Sequence, residues 1–297
     1  MPDRIKILET PRDAMQGIKP FIPTEKKADY INSLLRVGFD IIDFGSFVSP
    51  AAIPQLRDTA AVLKKLDLTQ SDTKLMCIVG NLRGTKDATQ YEEISFLGYP
   101  HSVSDKFLML NINSSLDKSR DACADILEQC EKTGKELVVY LSMAFGNNYG
   151  EEWSVEILEK ECNKLNEMGV KYIALSDTIG ASYPASIAAV FMALVPAFPH
   201  IEFSLHLHTK LHQVFEKLDA AYQCGCMGFD GVMNGLGGCP MAEHELVGNV
   251  RTGMILECLE NNKLETKIDK KAFEDAITKS ITTFALIDLQ NKDHFLL

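Results

Sequence analysis

The chain has 297 residues, 46% hydrophobic and 24% charged, enough apolar sequence to bury one α/β barrel or two smaller domains and too much for a disordered protein. A formal net charge of -11 and the lack of a Lys/Arg cluster interleaved with aromatics argue against a nucleic-acid partner, so any anionic ligand must meet a local basic patch. No apolar run approaches transmembrane length, and a first strand within a few residues of Met1 leaves no room for a targeting peptide, so a soluble, cytoplasmic chain with no membrane partner is expected.

Short runs rich in Val, Ile, Leu and Phe alternate with longer amphipathic segments, and no Ser/Gly/Pro-rich linker interrupts them. Strands are expected at residues 4–9, 40–44, 74–79, 106–111, 137–143, 172–177, 202–208 and 228–233. Helical patterns include residues 24–37, with Thr24 and Glu25 as an N-cap signal and Gly38 as a stop, 116–132, and 154–168 ending at Gly169. Eight βα units in one uninterrupted chain favour a closed parallel (β/α)8 TIM barrel over an open sheet. The barrel is assigned residues 1–258, and residues 259–297 form a C-terminal helical extension packed on it, with a helix around 270–286. Lys263, Lys267, Lys270 and Lys271 in this tail could receive phosphates, although a solvated helix face accounts for them as well.

Eight cysteines lack a repeated CxxC spacing, and several sit inside apolar patterns, as in a reduced protein. Cys224-Gly225-Cys226 reads as a helix end passing through a Gly turn into the next strand. Cys239 differs from the rest. It lies in Gly235-Leu236-Gly237-Gly238-Cys239-Pro240, where a glycine-rich backbone is free to move and little surrounds the thiol, which suits either a thiol that swings into a reaction or a plain surface turn.

Chemistry in such a barrel sits where strands end. The first strand runs into Pro11-Arg12-Asp13, the sixth ends in Ser176-Asp177-Thr178, the seventh in His206-Leu207-His208, and the eighth feeds the Gly-rich loop. Residues two apart on a strand share a face and lie roughly 7 Å apart, so both imidazoles can face the barrel mouth and chelate one ion. Strand histidines are also commonly hydrogen-bonded structural residues. With the Asp13 carboxylate and the Asn249 amide carbonyl, the donors form a mixed N/O set suited to Mg²⁺ or Mn²⁺, with Zn²⁺ also compatible.

Pro11-Arg12-Asp13 with Gln16, Ser46-Phe47-Val48-Ser49-Pro50, Asp177-Thr178-Ile179-Gly180, His206-Leu207-His208, Gly235 to Pro240 and Gly248-Asn249 occur in one order along the chain. In that order they resemble the 3-hydroxy-3-methylglutaryl-CoA lyases, within the barrel metallolyases that also include isopropylmalate and homocitrate synthases. The resemblance implies that Asp13, His206, His208 and Asn249 surround a divalent cation. It also implies that Arg12 stabilises charge on the substrate carbonyl, and that Cys239 is a mobile catalytic thiol. His206 would move the hydroxyl proton if it is not fully committed to the metal, and the sequence does not separate those two roles. Asp43 would stand where the family usually has Glu, and Gln16, Ser46, Tyr140, Ser142 and Thr178 would line the acyl pocket, with Asp177 nearby. For Asp43 and Asp177, locking an arginine or backbone in place competes with direct proton transfer.

The implied reaction is a retro-Claisen cleavage of an acyl-CoA substrate to acetyl-CoA and acetoacetate, chemistry of leucine degradation and ketone-body formation, with a homodimer as the expected assembly. A condensing synthase or hydroxy-acid aldolase on the same barrel, or a degenerate barrel that only binds acyl-CoA, are the rivals. The sequence departs from the family pattern at several points. Leu8 stands where an acidic residue is usual and Glu9 follows it. Ala14 replaces the glycine after Arg-Asp, Thr209-Lys210-Leu211-His212 replaces Asp-Thr-Tyr-Gly, and Gly253 replaces an acidic residue.

Overall fold

A computed structural model describes residues 4–237 and 248–288. Eight parallel strands, β1 (Lys6–Glu9), β2 (Ile41–Ser46), β3 (Lys74–Ile78), β4 (Ile94–Ser102), β5 (Glu136–Ser142), β6 (Tyr172–Asp177), β7 (Glu202–Leu207) and β8 (Gly228–Gly231), close in sequence order into a barrel. The closing seam pairs Leu8 with Asp230 and Glu9 with Gly231. The helices are α1 (Pro11–Gln16), α2 (Thr24–Leu35), α3 (Thr59–Leu63), α4 (Leu82–Ala88), α5 (Asp105–Ile112), α6 (Leu116–Thr133), α7 (Val155–Met168), α8 (Pro184–Ala197), α9 (Val214–Gln223), α10 (Thr252–Asn261) and α11 (Lys270–Asp288). None of the described helices is long and apolar enough to cross a membrane.

Alternation along each strand splits the core in two. Leu8, Met76, Ile78, Val138, Tyr140 and Ala174 form a small cluster inside the barrel. Their strand neighbours Ile7, Cys77, Val139, Leu141, Ile173 and Leu175 join the larger cluster beneath the helices. Beyond α10, α11 packs on α2, where Phe284 meets Tyr30 edge to face at 5.6 Å.

The fourth strand departs from the sequence expectation. Residues 106–111 lie in α5, whose start is capped by Ser104 accepting the Phe107 N–H. The strand is the preceding segment, whose Gly98, Pro100 and polar residues mask it. Its outward Tyr99 and His101 are buried because both bond Ser119 Oγ of α6, at 2.9 and 2.7 Å, and His101 also meets Glu161 of α7 at 2.9 Å. The eighth strand ends at Gly231 rather than Met233, because the chain turns to pair Val232 with Arg251. Thr24 is the first residue of α2 rather than its cap, and its hydroxyl bonds Asp58 at 2.7 Å.

The expected helix end holds at Gly169, a left-handed C-cap, while α2 ends at Leu35, three residues before Gly38 at φ +90; α6 also ends on a left-handed glycine, Gly134. The Cys224-Gly225-Cys226 turn also holds, with Gly225 at φ +94 between α9 and β8. All cysteines among the described residues are free. Gly45 sits at a register shift between β2 and β3, where an added Cβ would fall 2.4 Å from Thr59 Cγ2. Only glycine permits that approach.

Candidate metal centre and active site

The site grows from the short turn that follows β1. Pro11 at the first helical position sets φ for a single helical step, and the buried α1 then delivers Arg12, Asp13 and Gln16 to the rim. Asp13 Oδ1 accepts from Gln16 Nε2 at 2.8 Å and Arg12 Nη1 at 3.1 Å, and its Oδ2 accepts from Asn249 Nδ2 at 2.7 Å. His206 is the penultimate residue of β7 and His208 follows the strand, held by a bridge to Asn249 and by its N–H donating to the Asp177 carbonyl at 3.2 Å. The two Nε2 atoms lie 3.1 Å apart. Donor atoms of Asp13, His206 and His208 all fall within 4.8 Å of one another.

These residues fit a divalent cation. One carboxylate and two imidazoles converge in a buried pocket whose backbone approaches closely: Gly237, at φ +91, would place a Cβ 2.8 Å from the Asp13 carbonyl and 2.9 Å from Asn249 Nδ2. A hard-to-borderline N/O set of this kind suits Mg²⁺, Mn²⁺ or Zn²⁺.

Electrostatics follow from burial and pairing. Burial alone would raise the Asp13 carboxyl, but Arg12, His206, His208 and the Asn249 bond bring it below its ordinary value, so it is ionised. His208 is pushed down to about 4, first by burial and then by His206, which leaves it a neutral lone-pair donor. His206 loses basicity through burial but gains more from Asp230, whose Oδ2 lies 3.0 Å from Nδ1, and ends raised. Burial would weaken the Arg12 charge, yet Asp43 and Asp13 more than offset it.

Asp43 Oδ2 receives both Nε and Nη2 of Arg12, at 2.8 and 2.7 Å, so the carboxylate does lock the arginine. Its Oδ1 is buried without a hydrogen-bond partner, and burial raises the group to about 6 despite Arg12. Asp177 takes the backbone N–H groups of Ala181 and Ser182 at 2.8 and 2.9 Å, which fastens the loop after β6. Glu9 turns away from the rim to accept from Met233 N at 2.7 Å and from Thr252 Oγ1, pinning β1 to the start of α10.

Of the expected pocket residues, Gln16 joins the Arg12–Asp13 cluster and Tyr140 packs edge-on to His206, with ring centroids 5.7 Å apart. Burial, reinforced by Asp230 and Asp43, holds the Tyr140 phenol well above its ordinary value. Ser46 and Ser142 are the last residues of β2 and β5, and Thr178 follows the end of β6. Ser46 Oγ donates to the Ile78 carbonyl at 3.2 Å, and Thr178 Oγ1 accepts the Met143 N–H at 3.1 Å. Cys239 lies outside the described residues. Asp230 is not among the residues that the sequence singles out, and its signal there is a lone carboxylate inside the strand Gly228–Gly231.

A closed eightfold βα barrel that gathers His206, His208 and Asp13 at its C-terminal rim places the chain among the (β/α)8 barrel proteins, with a candidate cation site where such barrels carry their chemistry. The sequence matches the HMGL-like family over residues 4–278, and the chain belongs to that family. It is 34% identical to the hydroxymethylglutaryl-CoA lyase YngG of Bacillus subtilis, over 90% of this chain and 89% of that protein. Identity to the cytoplasmic 3-hydroxy-3-methylglutaryl-CoA lyase of Rattus norvegicus is 29%, over 91% and 78% of the two. Among solved structures, the HMG-CoA lyase of Bacillus subtilis superposes with a TM-score of 0.89 at 31% identity, covering 96% of this chain and 95% of that one. An HMG-CoA lyase from Acinetobacter baumannii, in complex with coenzyme A and 3-methylmalate, gives 0.87 at 27%, covering 95% and 92%.

Proposed function

We propose that this chain is a carbon–carbon lyase that cleaves 3-hydroxy-3-methylglutaryl-CoA to acetyl-CoA and acetoacetate. The observation that carries the reading is the convergence of Asp13, His206 and His208 donor atoms within 4.8 Å beside the Arg12 guanidinium. Family membership and the lyase relatives support the same substrate class. A divalent cation, Mg²⁺ or Mn²⁺ with Zn²⁺ also compatible, held by Asp13, His206, His208 and Asn249 would lower the pKa of the tertiary hydroxyl and fix it beside a substrate carboxylate.

The residues divide the remaining work. Moving the hydroxyl proton and ligating the cation are alternative roles for the His206 ring, and here its Nδ1 is taken by Asp230, which leaves Nε2 for the cation. Cleavage leaves an enolate of acetyl-CoA, whose oxygen charge Arg12 neutralises in a buried setting, an effect on the order of 3 kcal/mol of barrier. Asp43 holds Arg12 to that task through its two-point bond. Cys239 supplies the enolate carbon with a proton, as an ordinary thiol is mostly protonated at neutral pH. Gln16, Ser46, Tyr140, Ser142 and Thr178 bound the acyl pocket. Residues 259–297 extend the barrel of residues 1–258, and a cytoplasmic homodimer completes the reading.

The test is acetoacetate formation from the CoA thioester with Mg²⁺, with chelator, and with Cys239→Ser. Chelator abolishes turnover and the serine variant loses orders of magnitude in kcat. Unchanged rates in either arm would remove the corresponding assignment.

A further inference from the structure

Asp230 lies on β8 at the level of His206 on β7. The register that pairs Ser204 with Gly228 and Leu205 with Phe229 brings these two side chains together on the inner face. The Asp230 side chain is 2% exposed, and its Oδ2 meets His206 Nδ1 at 3.0 Å. A carboxylate only accepts hydrogen bonds, so Nδ1 must carry the hydrogen. This holds whatever the charge on the ring. The opposite nitrogen, Nε2, faces His208 Nε2 at 3.1 Å, and Tyr140 stands edge-on to the ring and restricts its rotation.

We propose that Asp230 is a positioning residue that fixes His206 with its hydrogen on Nδ1, so that Nε2 offers its lone pair to the cation shared with His208 and Asp13. This inference rests on the cation reading of the Asp13, His206, His208 and Asn249 cluster. Without Asp230 the ring is free to place its hydrogen on Nε2, which points a donor at the position a cation must fill. Carboxylates that hold the far nitrogen of a metal-bound imidazole act this way generally, and their loss costs about 10–100-fold in metal affinity.

The experiment compares the full-length parent with Asp230→Ala and with Asp230→Asn, whose side-chain oxygen can still accept the Nδ1 hydrogen. Mn²⁺ is titrated calorimetrically into chelator-treated protein, and long-range ¹H–¹⁵N spectra of histidine-labelled protein report which His206 nitrogen is protonated. The parent binds one Mn²⁺ and carries the hydrogen on Nδ1. The alanine variant binds about 10–100-fold more weakly and shows Nε2 protonation, and the asparagine variant recovers most of the affinity. Equal Mn²⁺ affinity in parent and alanine variant overturns the role of Asp230 and leaves the cation site standing. A parent that binds no Mn²⁺ overturns both readings. The spectrum of the parent decides the question by itself if the alanine variant fails to fold, since an unprotonated Nδ1 there contradicts the assignment.

Discussion

Arg12 is placed by geometry that a simple positive charge cannot reproduce. Three of its nitrogens are engaged, Nε and Nη2 by Asp43 and Nη1 by Asp13 and Gln16. Lysine keeps the charge and loses the planar fork. Arg12→Lys is therefore expected to lower kcat by about 10²–10³ with a much smaller change in KM, and steady-state rates within twofold of the parent would refute the assignment. Glu9 gives a prediction of a different kind. Burial raises it from 4.5 to about 8 against the lowering effect of its Thr252 and Met233 bonds. The folded state thus holds its proton more tightly than the unfolded one, so the contribution is fully present below about pH 4.5 and is lost as pH rises through about 8. Glu9→Gln cannot ionise. Its melting temperature is expected to match the parent near pH 4, to exceed it increasingly from about pH 5 to 8 and to keep that gap above, and parallel curves across that range would contradict the burial argument. Arg12, Asp13, His206 and His208 were legible as residue types at strand ends. Asp230 was not, because its meaning depends on a cross-strand neighbour that only the register supplies.

Elements explain which parts of the sequence could be read and which could not. Strands whose two faces are both apolar announce themselves, and β3, β5 and β6 fall close to their expected positions. The fourth strand hid because Tyr99 and His101 satisfy their polar atoms on Ser119 and Glu161 of neighbouring helices, contacts remote in sequence. The apolar run that mimicked it belongs to α5, where only Phe107 and Leu108 are buried. The segment after β8 shows an opposite case, in which glycine spacing was legible and its cause was not. Gly237 has φ +91 and sits against the Asp13 carbonyl and the Asn249 amide. A methyl group there must displace one of them, and the left-handed backbone adds roughly 1 kcal/mol of strain. Gly237→Ala is expected to weaken Mn²⁺ binding at least tenfold by calorimetry, and unaltered affinity would show that this approach does not shape the site.

At the scale of the molecule, barrel closure is what assembles the centre. Asp13 follows the first strand and Asn249 the last, yet Asn249 Nδ2 lies 2.7 Å from Asp13 Oδ2 because β1 pairs with β8. The eight repeats made that closure legible in the sequence, whereas the α11 contact with α2 was not, since no local pattern specifies which barrel helix an extension meets. A cation bound across the seam should staple it. At a free concentration one hundred times Kd it adds about 2.7 kcal/mol to folding stability, so Mn²⁺ is expected to raise the melting temperature and chelator to reverse the rise. A melting temperature indifferent to both would argue against a site built from both ends of the barrel.

The cation site is decided by the anomalous scattering of Mn²⁺ in crystals of this protein. One strong peak per chain is expected, roughly 2.0–2.3 Å from an Asp13 carboxylate oxygen, His206 Nε2 and a His208 ring nitrogen. A peak lying elsewhere, or none on the C-terminal rim at saturating Mn²⁺, would contradict it.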